Sequence, residues 1–369
     1  MAWATSTVGD ATSGADYAAS VGALQLWEDA IDGLTPGDYK ASIITDIVDD
    51  VLFSTFAVGV WNLWITGNLT GATKRKITSN GSYPLRFTDT DIDAVTVDDI
   101  DLDADSSGIY ALYIEAGVDS LTLKRCQFRN GTNLGVYIHP SATLNILESE
   151  NCIFRANGNG GVHSDYTASA STLNFHNCLF VGNTNDGNST ANNANITRNL
   201  YNCIGIGNGS ADFEDHAATV TNLTSCVSED STATNANHTS TTDCVASIVS
   251  ETDFVGYSSG LYALTGDDNA LWGTAGSAAN TPATDFTGQV RYNDNIGPYE
   301  YPIIGNAQKR LSAIMPMMPF RGPGVWAADT GFNVGSRQAA SLLFSGVPAL
   351  TYGWGVEAPR HRNAVEIEE

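Results

Sequence analysis

The chain has 369 residues, of which 42% are hydrophobic, and a formal net charge of −24. A surface this acidic disfavours nucleic acid and anionic membranes as partners, and no apolar run approaches the ~20 residues of a membrane-spanning helix. The acid is unevenly spread: residues 1–302 carry 11 basic and 36 acidic side chains, whereas residues 303–369 carry 6 and 5.

In chain order, the first element is a helix expected over residues 15–33. Val21, Leu24, Trp27, Ala30 and Ile31 recur at three- and four-residue steps, the spacing of one apolar helical face. Asp16 is the expected N-cap and Gly33 the expected stop. No basic segment or apolar core of a signal peptide precedes it. The stretches 43–65 and 77–87 alternate enough to read as irregular strands, with Trp61 and Trp64 in or near the core.

A repeat follows. Val95 to Leu102, Leu121 to Phe128 and Leu173 to Phe180 align at offsets of 26 and 52, and the six cysteines (126, 152, 178, 203, 226, 244) stand 26, 26, 25, 23 and 18 residues apart. A fixed period in this range means stacked units, each burying its apolar face against its neighbours. Leu121, Leu123, Cys126 and Phe128 alternate with Thr122, Arg125 and Gln127, with a one-residue slip at Lys124, so the units are strands rather than helices. Asn/Gly-rich turns close each unit (Asn130-Gly131, Asn157 to Gly161, Asn183 to Gly187), where left-handed backbone is cheap. The expected fold is all-β, a right-handed parallel β-helix over 41–302. Residues 1–40 form an N-terminal segment whose helix caps the open first coil, and 303–369 a C-terminal arm or small domain. A leucine-rich horseshoe is excluded by its missing Leu-x-x-Leu-x-Leu frame. The cysteines are expected to be free thiols stacked on the inner wall, and Asn151, Asn177 and Asn202 a ladder of amides. No Cys-x-x-Cys pair suggests a metal or redox centre.

Asp16-Tyr17, then Leu26-Trp27-Glu28-Asp29-Ala30, the Cys-x-Phe coils and the closing Asp294-Asn295-Ile296-Gly297-Pro298-Tyr299-Glu300-Tyr301 together resemble the pectate-lyase-like β-helix proteins of bacteria and bacteriophages. The closing motif is similar to the Asp-Ile-Gly-Ala-Tyr-Glu-Tyr end of many such helices, with Asn295 inserted and Pro298 replacing Ala. The resemblance implies the fold, and a phage origin implies a place on the exterior surface of a virion. There the first expectation is a non-enzymatic capsid cement or decoration protein that binds the major capsid protein or another virion protein. A homotrimer is the expected state. The arm is the expected anchor, its Met315, Met317, Met318, Phe320, Trp326, Phe332, Phe344 and Trp354 needing a surface to bury against, while five prolines and eight glycines break any long element.

The alternative is a tailspike-like or secreted glycan-binding protein, or a polysaccharide-degrading enzyme, acting on a host glycan. A polysaccharide lyase needs acidic residues beside a basic one. Asp98, Asp99, Lys124 and Arg125, one coil apart, are the candidates, and the acidic run from Asp89 to Asp105 is the place where calcium would bind. A glycoside hydrolase of the galacturonase kind has Asn-x-Asp, paired Asp, Gly-His-Gly and Arg-x-Lys on successive coils. Only Asp98-Asp99 matches in part, Gly161-Val162-His163-Ser164 lacks the second glycine, and no Arg-x-Lys follows. Asp165, Asp186, Asp212, Glu214 and Asp215 are further carboxylates in turns, none standing out. The six histidines have no ligand spacing, no Ser-His-Asp order or phosphate loop is present, and no cofactor is expected.

Overall fold

The structure is a computed structural model that describes residues 3–67, 74–165, 170–191, 193–214, 216–247, 249, 251–255, 257, 262–264, 280–291 and 296–299. The chain divides into two units, Met1–Glu300 and Tyr301–Glu369. The second unit, and with it every residue proposed for the arm from Met315 to Trp354, lies outside the described residues.

The first unit is a parallel β-solenoid with three walls: among the described residues, sheet 1 has eleven strands, sheet 2 nine and sheet 3 six. Each coil visits the sheets in turn, as in Val118–Lys124 (sheet 1), Gln127–Arg129 (sheet 2) and Leu134–Ile138 (sheet 3). Coils pair in parallel with Leu121 opposite Leu147 and Leu147 opposite Leu173, so the 26-residue repeat is one turn. Sheet 1 starts earlier than residue 41, because strand Ala4–Gly9 pairs with Asp38–Ile43.

The slip at Lys124 is a corner. Asp99, Arg125, Asn151, Asn177, Asn202, Ser225 and Asp243 each have φ of 52–59°, one residue after a sheet 1 strand. A single left-handed residue turns the chain sharply onto sheet 2, and Asn and Asp tolerate that conformation best among residues with a Cβ. The next residue points inward. In six of these coils it is cysteine; Cys126, Cys152, Cys178, Cys203 and Cys226 are fully buried and all six are free thiols. Behind them Phe128, Phe154 and Phe180 stack face to face at 5.1 and 5.0 Å between ring centres. The corner between sheets 2 and 3 carries an amide ladder: Asn157 Nδ2 donates to Asn183 Oδ1 (2.9 Å), Asn183 Nδ2 to Asn208 Oδ1 (2.8 Å), and Asn208 Nδ2 to Asp212 Oδ1 (2.7 Å). These bonds satisfy polar groups that would otherwise cost ~1–3 kcal/mol each when buried.

The helix, α1, spans Ala23–Asp32, shorter than the expected 15–33. Its N-terminal part is taken by other partners: the Asp16 carboxylate accepts from Thr7 N (2.8 Å) and Thr7 Oγ1 (2.9 Å), and Tyr17–Ala18 pairs as a strand with Val8–Gly9. Gly22, at φ 84°, starts α1, and Asp49 of the neighbouring coil, not Asp16, accepts from the N–H groups of Leu24 (2.6 Å) and Gln25 (3.2 Å). Gly33 ends it, donating to the Ile31 carbonyl. Leu24, Trp27 and Ile31 are buried, Trp27 meeting Phe53 edge-on at 6.5 Å. Trp61 is fully buried and Trp64 half-buried beneath Lys40.

Residues 280–291 and 296–299 lie along the outside of the corner between sheets 1 and 2. Asn151 Nδ2 donates to Thr284 O (2.7 Å), Asn177 Nδ2 to Gly297 O (3.0 Å), and Gly297 N to Asn202 O (2.8 Å). The corner asparagines thus hold the returning segment through side-chain amides. Asn202 Nδ2 also reaches Asn177 Oδ1 at 3.3 Å, so part of the amide ladder is present.

Candidate functional site

The structure brings together three of the four residues singled out by charge. Arg125, at its left-handed corner, donates from Nη2 to both Asp98 oxygens (2.6 and 2.8 Å) and from Nε to Asp99 (3.0 Å). Lys74 joins from the previous coil, its Nζ 2.8 Å from Asp99 Oδ1 and 2.6 Å from Phe286 O, with the Phe286 ring over it at 4.4 Å. Lys124 points elsewhere and pairs with Glu150 at 3.4 Å. Asp98 and Asp99 are 8% and 7% exposed, and burial pushes Asp98 up to about 6 despite the opposing charge of Arg125. Acids and bases here saturate one another beneath the returning segment. That arrangement holds Phe286 onto the rod.

Four more carboxylates of the acidic run are similarly engaged. Asp89 and Asp93 accept from the N–H groups of Phe56 (2.7 Å) and Trp61 (2.9 Å), and Asp101 and Asp103 pair with Arg129 at 2.9 and 2.8 Å. Among the described residues no group of three or more His, Cys, Asp or Glu side chains is arranged to hold a metal ion.

An open groove lies on another wall. Along the outer face of sheet 3 the register sets Arg86, Tyr113, Tyr137, His163 and Ser189 one above the other, one per coil. Tyr83 and Tyr110 flank this column, giving ring contacts Tyr83–Tyr113 at 5.3 Å, Tyr110–Tyr137 at 4.8 Å, Tyr113–Tyr137 at 5.5 Å and Tyr137–His163 at 6.3 Å. The track leads into a groove of about 340 Å³ whose polar lining includes Tyr137, Asn159, His163, Asp165, Asp186 and Glu214.

Inside it a chain of hydrogen bonds crosses three coils. Tyr137 Oη donates to Asp165 Oδ2 (2.7 Å), Asp165 Oδ1 meets His163 Nε2 (2.9 Å), and His163 Nδ1 meets Ser189 Oγ (2.7 Å). Burial raises the Asp165 carboxyl, but the hydrogen bonds from Tyr137 and His163 outweigh it and leave the group below the ordinary carboxylate range. Asp186, on the next coil, moves the other way, raised by burial and by the charge of Glu214. Glu214 in turn pairs with His216 at 3.2 Å. The groove therefore holds two carboxylates whose surroundings shift them in opposite directions.

Arg198 braces the groove from within. It occupies an inward position of sheet 1, opposite Leu173 and Thr221, and is fully buried. Its guanidinium donates to Asn188 O (2.9 Å), Asn188 Oδ1 (3.0 Å) and the Glu214 carbonyl, tying the last sheet 3 strand to the loop that carries Glu214. A buried Arg without such partners would be very costly. An Arg interrupting the Leu121, Leu147, Leu173 column was the available signal for this brace. For the groove the signal was numerical: Tyr137, His163 and Ser189 stand 26 residues apart, one turn each.

No protein-family model matches this sequence, and no curated protein sequence matches it.

Proposed function

We propose that this protein is a glycan-recognising β-helix whose binding surface is the outer face of sheet 3. What supports the reading is a track of tyrosine rings that ends in a groove lined by carboxylates, amides and imidazoles. Aromatic faces suit the apolar faces of sugar rings, and convergent polar groups suit their hydroxyls. The acidic lining and the net charge of −24 favour neutral or amino sugars over polyuronates. A lyase acting on an acidic polymer fits this surface poorly.

The finer features belong to the same proposal. We read the solenoid as right-handed, the usual hand of parallel crossovers, and as pectate-lyase-like. Helix α1 serves as its N-terminal cap, and the arm as its anchor. The sequence resemblance suggests the outside of a phage virion as the setting and a homotrimer as the state. Within that setting the groove favours receptor binding over capsid cement. Titration against a panel of neutral, amino and acidic polysaccharides tests the binding, with Tyr137→Ala expected to lower affinity at least tenfold. Quantitative mass spectrometry of particles tests the setting: a few copies per particle fit a receptor-binding part, and abundance in fixed proportion to the shell protein fits cement. Absence from particles would remove the virion.

A further inference from the structure

We infer that Ser189, His163 and Asp165 form an acyl-transfer relay that removes small ester groups, acetyl above all, from a glycan held in the sheet 3 groove. The inference rests on the glycan reading for its substrate class; the relay itself rests on geometry. Ser189 Oγ lies 2.7 Å from one imidazole nitrogen of His163, and the other nitrogen lies 2.9 Å from Asp165. A hydroxyl, an imidazole and an ionised carboxylate in this order are what activates a serine as nucleophile. The ring nitrogens are exchanged relative to serine proteases, with Nδ1 facing the serine. The chemistry requires only that one nitrogen accept from the hydroxyl while the other donates to the carboxylate. Tyr137 holds the second carboxylate oxygen at 2.7 Å, which fixes Asp165 in place. Among the residues lining the groove, Asn133, Asn159 and His216 carry N–H groups, the kind of donor that steadies an oxyanion.

The steps balance without any further reactant but water. Ser189 Oγ attacks the acyl carbon as its proton passes to His163 Nδ1. The bond from acyl carbon to sugar oxygen then breaks, and the sugar oxygen takes the proton. Water attacks the acyl-serine, giving a proton to His163, and Ser189 Oγ leaves with that proton. The products are the free sugar hydroxyl and a carboxylic acid. Ser189 lines the groove but is only 3% exposed. An acyl group must enter the groove to reach it, which favours acetyl over long-chain esters. Ser189 and His163 are the catalytic residues, and Asp165 is a positioning residue.

The test uses the full chain with three probes: p-nitrophenyl acetate, a small fluorophosphonate, and a partially O-acetylated neutral polysaccharide whose acetate release is followed by NMR. The expected result is a fluorophosphonate adduct mapped to the peptide containing Ser189, together with acetate release. Ser189→Ala should abolish the adduct and lower turnover at least ~100-fold. Near-UV circular dichroism checks that this small change leaves the fold intact, and adduct mapping on the unmodified chain needs no variant. Asp165→Asn should slow turnover and Asp165→Glu, which restores a carboxylate, should recover part of it; a merely structural role would not be rescued by the carboxylate. No adduct on Ser189, with p-nitrophenyl acetate turnover unchanged in Ser189→Ala, overturns the relay whether or not polysaccharide binds. An adduct on Ser189 without binding of any polysaccharide overturns the glycan reading and leaves the relay standing.

Discussion

Glu28 is the most sharply testable titrating group in the rod. It sits on the buried side of α1 at 3% exposure, accepting from Ser54 N at 3.2 Å and Gln25 Nε2 at 2.7 Å. Burial, with Asp29 and Asp32 nearby, pushes its pKa from the usual 4.5 up to about 8. Between those values the folded chain holds a proton that the unfolded chain has released. Stability from this group is thus fully present below pH 4.5 and is lost as pH rises through 8. A rise of that size, at ~1.4 kcal/mol per pH unit, amounts to roughly 5 kcal/mol. Glu28→Gln removes the dependence and keeps an oxygen for Ser54, at the loss of the acceptor that Gln25 Nε2 uses. Because solenoids unfold locally, the readout is hydrogen exchange of the α1 amides beside thermal unfolding, both from pH 4 to 9. The variant should exceed wild type at pH 9 by several kcal/mol, and the gap should close or reverse near pH 4.5. A gap independent of pH would refute the reasoning.

Three further outcomes follow from packing and burial. Phe154→Ala empties the middle of the three-ring stack and should cost ~3–5 kcal/mol, seen as a lower urea midpoint. Arg125→Met strands the buried Asp98 and leaves Asp99 with Lys74 alone, and should cost ~3–5 kcal/mol, whereas Lys124→Met, which loses only the pair with Glu150, should cost under ~1 kcal/mol; thermal melts compare the two. With a thiol-specific reagent, only Cys244, the one cysteine that is not fully buried, should react in the folded chain, and the other five should react on unfolding.

The solenoid was legible because one turn imposes one period, and cysteine, phenylalanine and the Asn/Gly turns all repeat with it. The left-handed corner was half legible: alternation slipped at Lys124, but the slip alone does not distinguish a bulge from a turn onto another sheet. The helix was read too long because Val21 keeps the apolar spacing. It is in fact 49% exposed, and Asp16 finds a stronger partner in Thr7. The charge cluster around Arg125 was visible as acid opposite base one coil apart. What hid its character was Lys74 and Phe286, the latter arriving from almost 190 residues downstream. The groove was hidden because its members are scattered over residues 110–216 and converge only when the chain is wound at its own period. Asp165, Asp186 and Glu214 were named as candidates, yet nothing in linear order joined them to His163 or Ser189. The arm lies outside the described residues, so the readings made for Met315 to Trp354 stand as expectations.

The measurement that most directly sets the two candidate sites against each other is polysaccharide binding by wild type, Tyr137→Ala and Arg125→Met in parallel, at a temperature where all three are folded. If the outer face of sheet 3 is the binding surface, Tyr137→Ala loses binding and Arg125→Met keeps it. Binding kept by Tyr137→Ala and lost by Arg125→Met would contradict it and return the function to the corner at Asp98 and Asp99.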